Sequence, residues 1–237
     1  MADLRFYFDP VCPFAWMTSK WVRQVAAQRD YDVDWRFISL RVLNAHVDYD
    51  AHFPSDYEAG HTAGLRLLRV AARVRSMRGP QAVGPLYEAF GRYVFEVEDE
   101  PGRAERGTYD FVAPILAEIG LPADLADALD DDGADEEIRA ETAEALALTG
   151  KDVGTPILHF RPDDGGIAFF GPVISRLPSD AEAVELWDHV VALASFPGFA
   201  ELKRSLRERP QLPAFGVRPG DTGAQEDWHA GSRRQKR

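Results

Sequence analysis

The alternating, aromatic run Leu4-Arg5-Phe6-Tyr7-Phe8 predicts a short strand, which Asp9-Pro10 stops. Beyond it Phe14, Met17, Trp21 and Val25 recur at helical spacing, and Pro13 suits a first helical turn, so a helix follows the strand directly. Val33, Trp35, Phe37 and Ser39 then fall on one side of a second strand. Two strands joined through one helix predict a parallel βαβ unit. A polar loop is expected from Asn44 to Pro54. After it, Thr62 to Leu146 reads as four or five helical segments, broken at Gly79-Pro80, Glu100-Pro101-Gly102, Gly120-Leu121-Pro122 and Asp130 to Gly133. Phe111, Leu116, Ile119 and Leu121 read as the core of that block.

The β pattern returns in Ile157 to Phe160 and Ile167 to Phe170, and the turn-forming residues between them predict a hairpin. Ser179 and Glu182 have the spacing of a capping box, opening a helix through Trp187 and Val191. A further short helix is expected from Phe199 to Leu206. Residues 216–237 have no apolar period, and their Gly, Ser, Gln and Arg content predicts a flexible tail. The order is thus β, α, β, a helical block, then β, β, α.

With 237 residues, 45% of them hydrophobic, the chain suffices for one domain core and an insertion. No basic stretch leads into an apolar run near Met1, and no run approaches the roughly 18 apolar residues of a membrane span, so a soluble, cytoplasmic protein is expected. The net charge is -12, and residues 216–237 hold more basic than acidic groups, which leaves the body still more acidic. Such a body repels nucleic acid and anionic lipid. His46, His52 and His61 lack the helical pairing of a metal site, and the acidic residues at Asp135 to Glu137 read as a helix start, so no metal is expected. There is no glycine-rich fingerprint after a strand, hence no tightly bound nicotinamide or flavin.

Cys12 is the only cysteine, which excludes an intramolecular disulfide; any redox chemistry needs an outside thiol. Its place between a strand and a helix start exposes it to unpaired amides and to the positive end of the helix dipole. Those stabilise a thiolate, so a lowered pKa and a reactive nucleophile are expected, whereas the competing reading is a small buried hydrophobe.

The run Phe6-Tyr-Phe-Asp-Pro-Val-Cys-Pro-Phe-Ala-Trp16 resembles the active site of the DsbA-like and kappa-class glutathione transferase superfamily, which includes the 2-hydroxychromene-2-carboxylate isomerases. Within it, Asp9 to Trp16, Ile38-Ser-Leu40 with Leu43-Asn44, Gly154-Thr-Pro156 and Phe169-Phe-Gly-Pro172 most resemble the actinobacterial mycothiol-dependent nitroreductases. The bias to arginine, with only four lysines, fits the GC-rich codons of such a source. The resemblance covers nearly the whole chain apart from the tail. It implies an α/β thioredoxin-like fold with an all-helical insertion: residues 1–45 and 149–215 form the thioredoxin-like part, residues 46–148 the insertion and residues 216–237 the tail.

It also implies site residues. Cys12 is the catalytic nucleophile. Gly154, Thr155 and Pro156 form a cis-proline loop that contacts the thiol cofactor, beside Pro13. Phe14 and Trp16 could wall a flat substrate, Trp16 having packing against the sheet as its other reading. Asn44 either orients substrate or thiol or makes local turn bonds. Tyr57 and His61, at the start of the insertion, are candidate proton donors or plain surface side chains. Two-cysteine members carry Cys-Pro-x-Cys; here Ala15 stands in the second place, so the mixed disulfide must be resolved by a free thiol.

The leading expectation is a monothiol, mycothiol-dependent oxidoreductase acting on disulfides, nitroaromatics or other small electrophiles. The alternatives are a kappa-transferase or isomerase-like enzyme, in which the bound thiol is the nucleophile, and a redox-inactive binding module. The insertion and the corner Phe196-Pro-Gly-Phe199 are candidate contacts of a homodimer, with nothing that decides between one copy and two.

Overall fold

Strand β1 (Leu4–Phe8) is the hub of the sheet. It runs parallel to β2 (Val33–Phe37) on one side and antiparallel to β3 (Ile157–Phe160) on the other, and β3 pairs antiparallel with β4 (Ile167–Phe170). The order is β2-β1-β3-β4. Helix α1 (Pro13–Gln28) joins the two parallel strands, and α8 (Asp180–Ser195) follows the hairpin. The computed structural model describes residues 1–150, 153–204, 206–218 and 220–227.

Alternation divides β1 between two layers. Leu4, Phe6 and Phe8 enter the main core with Trp16, Met17, Trp21 and Val25 of α1, while Tyr7 faces a smaller cluster with Ile38, Ala145 and Ile157. Trp21 meets Trp187 of α8 edge to face, at 5.2 Å between ring centroids, and its indole N–H donates to the Ala183 carbonyl at 2.9 Å. Each such fully buried aromatic contributes roughly 1.5–3 kcal/mol from area alone.

Between β2 and β3 lie the short helices α2 (Leu40–Leu43) and α3 (Tyr49–His52), followed by α4 (Tyr57–Arg78), α5 (Val83–Phe95), α6 (Tyr109–Glu118) and α7 (Asp135–Thr149). Gly79 turns the chain with φ +87°, a conformation that side chains rarely adopt, and Pro80 opens the next turn. The block is fastened to the sheet by Glu141 of α7. Its carboxylate accepts from the Phe37 N–H at 2.7 Å, from Arg36 at 2.6 Å and from Arg75 of α4 at 3.0 Å.

Three local expectations are corrected. The stretch after Asn44 is not all loop, since Asp48 caps α3 through the Ala51 N–H. No helix forms over Phe199 to Arg204, where Pro197 and Gly198 turn the chain out of α8; instead β5 (Leu206–Glu208) follows. Part of the expected tail is a strand, β6 (Gln225–Asp227), antiparallel to β5, because Arg176 and the Gly223 N–H bind Glu208 and hold the two segments together. Residues 228–237 lie outside the described residues.

Candidate active site

Three segments meet at the end of β1. The turn Asp9 to Cys12 leads into α1, the start of α2 lies beside it, and the loop before β3 closes over the thiol. Cys12 is the N-cap of α1, its backbone extended at φ -88° and ψ 113°, and Pro13 occupies the first helical turn. Sγ accepts from the Ala15 N–H at 3.5 Å and donates to the Thr155 carbonyl at 3.4 Å. The Thr155-Pro156 bond is cis, and the Thr155 hydroxyl donates to the Tyr7 carbonyl at 3.2 Å, which ties this loop to β1.

Cys12 is 6% exposed and packs with the main core. Burial pushes its thiol up to about 12; the Ala15 and Phe14 amides oppose this, and the charge of Asp9 adds to it. The expectation of a lowered pKa is therefore corrected. The helix start supplies amides as foreseen, but desolvation outweighs them, because α4 packs on the turn: a Cβ on Gly64 would sit 2.7 Å from Asp9 Oδ1 and 2.8 Å from Val11 Cγ2. As it stands, the sulfur is a neutral, hydrogen-bonded thiol.

Beneath it lies Asp9, which sequence reasoning passed over as a strand stop. It is fully buried, with Oδ1 accepting from the Val11 N–H at 2.9 Å and Oδ2 from the Leu40 N–H at 2.7 Å. Burial raises its pKa to about 7 against the pull of those two amides.

The other candidates separate. Pro13 and Phe14 are half-buried at the mouth of the turn, and Gly154 is half-buried at the head of the facing loop. Trp16 is 2% exposed: its ring fills the space above Gly91 and beside Tyr87 and Phe95, and its N–H donates to Glu96 at 2.8 Å. It packs α1 and is no substrate wall. Asn44 is buried at the end of α2 and spends its Nδ2 on the Leu40 carbonyl at 2.8 Å, the local bond of its second reading.

Tyr57 and His61 belong to a stack that sequence reasoning saw only in part. Tyr49, Phe53, Tyr57 and His61 recur every fourth residue, a legible signal, and their rings lie 5.1–5.7 Å apart in successive pairs. The Arg103 guanidinium covers Tyr57 at 4.3 Å, and Arg41 lies 5.3 Å from Tyr49. His61 is buried rather than a surface side chain. Its Nδ1 shares a 2.9 Å hydrogen bond with the Tyr49 hydroxyl, and burial, then Arg103 and Arg41, lowers its pKa to about 4, so it is neutral at pH 7.

A cavity of about 630 Å³ lies elsewhere, lined by Lys20, Arg23, Gln24, Glu88 and Asp180 among others, and Cys12 is not at its wall. Among the described residues no group of three or more His, Cys, Asp or Glu side chains could hold a metal ion, and no helix is long and apolar enough to cross a membrane.

Comparison with known proteins gives the fold and the family. The chain is similar to solved structures of the cytosolic disulfide reductase DsbM from Pseudomonas aeruginosa, with a TM-score of 0.52 at 17% identity over 81% of this chain and 99% of that one. The form of DsbM with GSH aligns with a TM-score of 0.52 at 15% identity, over 80% of this chain and 98% of that one. These likenesses show the fold, a DsbA-like thioredoxin fold with a helical block between its two parts. An uncharacterized protein of Mycobacterium tuberculosis, Rv2286c, is 31% identical over 218 residues, which is 90% of this chain and 84% of that protein. Residues 11–204 match the family model described as Rv2466c-like, mycothiol-dependent nitroreductase Rv2466c. The chain belongs to the Rv2466c-like family of mycothiol-dependent nitroreductases.

Proposed function

We propose that the protein is a monothiol reductase that uses mycothiol as its thiol cosubstrate and Cys12 as its nucleophile. The observation that carries this reading is the seat of Cys12: its Sγ lies at the helix start, 3.4 Å from the carbonyl of the cis-proline loop. Ala15, where two-cysteine members have their second thiol, is fully buried. In the first step the Cys12 thiolate attacks one sulfur of a disulfide, forming a mixed disulfide and releasing the other half as a thiolate. Mycothiol then attacks the mixed disulfide, regenerates the Cys12 thiolate and leaves as the new disulfide. With a nitroaromatic substrate, two mycothiols become one disulfide, and their two electrons and two protons convert nitro to nitroso and water. Pro13 and Phe14 on one side and Gly154, Thr155 and Pro156 on the other flank the thiol cosubstrate. The structural neighbour DsbM, solved with GSH, supports a low-molecular-weight thiol as partner.

One observation favours a second reading, in which the bound thiol is the nucleophile, as in a kappa-type transferase or isomerase. Cys12 is held as a neutral thiol donating to the Thr155 carbonyl. In that case Cys12 orients a bound mycothiolate and never becomes covalently attached. The experiment that separates the two is mycothiol-dependent reduction of a disulfide and of a nitroaromatic by the wild type and by Cys12→Ser. The monothiol reading expects turnover to fall at least a hundredfold in Cys12→Ser; retention within about threefold overturns it in favour of the second reading.

A further inference from the structure

Asp9 has a feature that its role as a turn residue does not require. Its side chain is fully buried, yet among the described residues it forms no ion pair, and its two oxygens are bound by N–H groups from two different elements. Val11 belongs to the turn that carries Cys12, and Leu40 opens α2, which ends at Asn44. Its own carbonyl accepts from the Cys12 N–H at 3.1 Å. A carboxylate in this place is a clamp between the nucleophile and the neighbouring rim of the site, and its strength depends on its charge.

The groups facing it are few. Cys12, Tyr49 of α3 and Tyr87 of α5 are the ionisable side chains that feel its charge, and each has its pKa raised by it, after burial. From α4, Gly64 packs against it and brings no charge, and His61 is neutral and bound to Tyr49. Arg41 of α2 is paired with Glu58 and lies over Tyr49. Two negative charges in so dry a place, with no cation bound to either, repel strongly.

We propose that Asp9 is a positioning residue that exchanges charge with Cys12: as the Cys12 thiol gives up its proton, the Asp9 carboxylate takes one up, and the N–H bonds clamping the turn to α2 slacken. The proton moves from sulfur to carboxylate through solvent, so the site keeps a single negative charge and no other reactant is needed. A thiol that is neutral at rest thereby gains a route to the thiolate, with the barrier set by opening of the turn. The titration of the two groups is coupled and belongs to the pair. This inference rests on Cys12 being the group that ionises during the reaction.

The test compares Cys12→Asp with Cys12→Asn, two residues that both cap helices well but differ in charge. The amide resonances of Val11 and Leu40 report the state of Asp9 between pH 4 and 9. The midpoint at which the two amides move together is expected to lie about one pH unit higher in Cys12→Asp than in Cys12→Asn. Coincident midpoints overturn the proposal. A second arm follows the rate of Cys12 alkylation by iodoacetamide in Asp9→Asn, which is expected to rise several-fold at pH 7.5 with a changed pH profile. A destabilised Asp9→Asn with the wild-type profile would mark Asp9 as merely structural. The two readings fail separately: loss of turnover chemistry at Cys12 leaves the Asp9 midpoints untouched, and coincident midpoints leave a mycothiol adduct at Cys12 intact.

Discussion

The Sγ of Cys12 donates to the Thr155 carbonyl across 3.4 Å, so the thiol at the head of α1 is held by a loop from the far half of the chain. The pairing of β1 with β3 and the bond from the Thr155 hydroxyl to the Tyr7 carbonyl bring the nucleophile and its facing loop together, while α4 of the insertion packs on the turn that carries the thiol.

Gly64 of α4 packs against that turn. A Cβ there would lie 2.7 Å from Asp9 Oδ1, an atom already held by the Val11 amide. Alanine gains up to about 1 kcal/mol of helix propensity over glycine, but the overlap falls on a fully buried group with no room to move. Gly64→Ala is expected to lose a net 1–2 kcal/mol or so in urea unfolding and to speed alkylation of Cys12. A variant as stable as the wild type would show that α4 does not press on the turn.

Much of this fold was legible. The alternation in β1 and β2, the helical spacing from Phe14 to Val25 and the hairpin around Gly165-Gly166 rest on local periods, which survive into the structure as β1, β2, α1, β3 and β4. Cys12 at the helix start and the cis bond at Pro156 also follow from local motifs. What the sequence concealed depends on partners distant along the chain. Nothing near Cys12 announces that α4 will desolvate it, nor that Asp9 will bind the amide of Leu40. For Trp16 the sequence leaves wall and packing both open until Gly91 of α5 supplies the space its ring fills. Phe199 to Leu206 has residues that suit a helix, but Pro197 and Gly198 turn the chain out of α8 and Phe199 stacks on Phe169 of β4 instead.

His61 sets a pH dependence. Burial, then Arg103 and Arg41, lowers its folded pKa to about 4, against an ordinary value of 6.5. Between those values the unfolded chain binds more protons, so stability present above about pH 6.5 is lost as the pH falls. The loss from this group is about 2 kcal/mol at pH 5 relative to pH 7. Asp9, raised to about 7, acts in the opposite sense, since the stability it contributes when protonated is lost as the pH rises toward 7. The two effects separate in a comparison: His61→Gln is expected to lose about 2 kcal/mol less than the wild type between pH 7 and pH 5. Parallel pH dependences of the urea midpoints would contradict a neutral, buried His61.

Glu141 carries the attachment of the insertion. One carboxylate serves the Phe37 amide, Arg36 and Arg75; its removal leaves a buried N–H unpaired and takes one partner from each arginine, which keep Asp34 and Glu137. Glu141→Ala is expected to cost about 3 kcal/mol in urea unfolding. A loss under about 1 kcal/mol would place the insertion's anchorage in apolar packing alone.

Intact mass spectrometry tests Cys12 as a monothiol nucleophile most directly. After incubation with mycothiol disulfide, the protein is expected to gain one mycothiol-sized adduct, mapped to Cys12 and released by excess mycothiol. Full turnover by a protein that never acquires that adduct would contradict the account, leaving the bound thiol as the nucleophile.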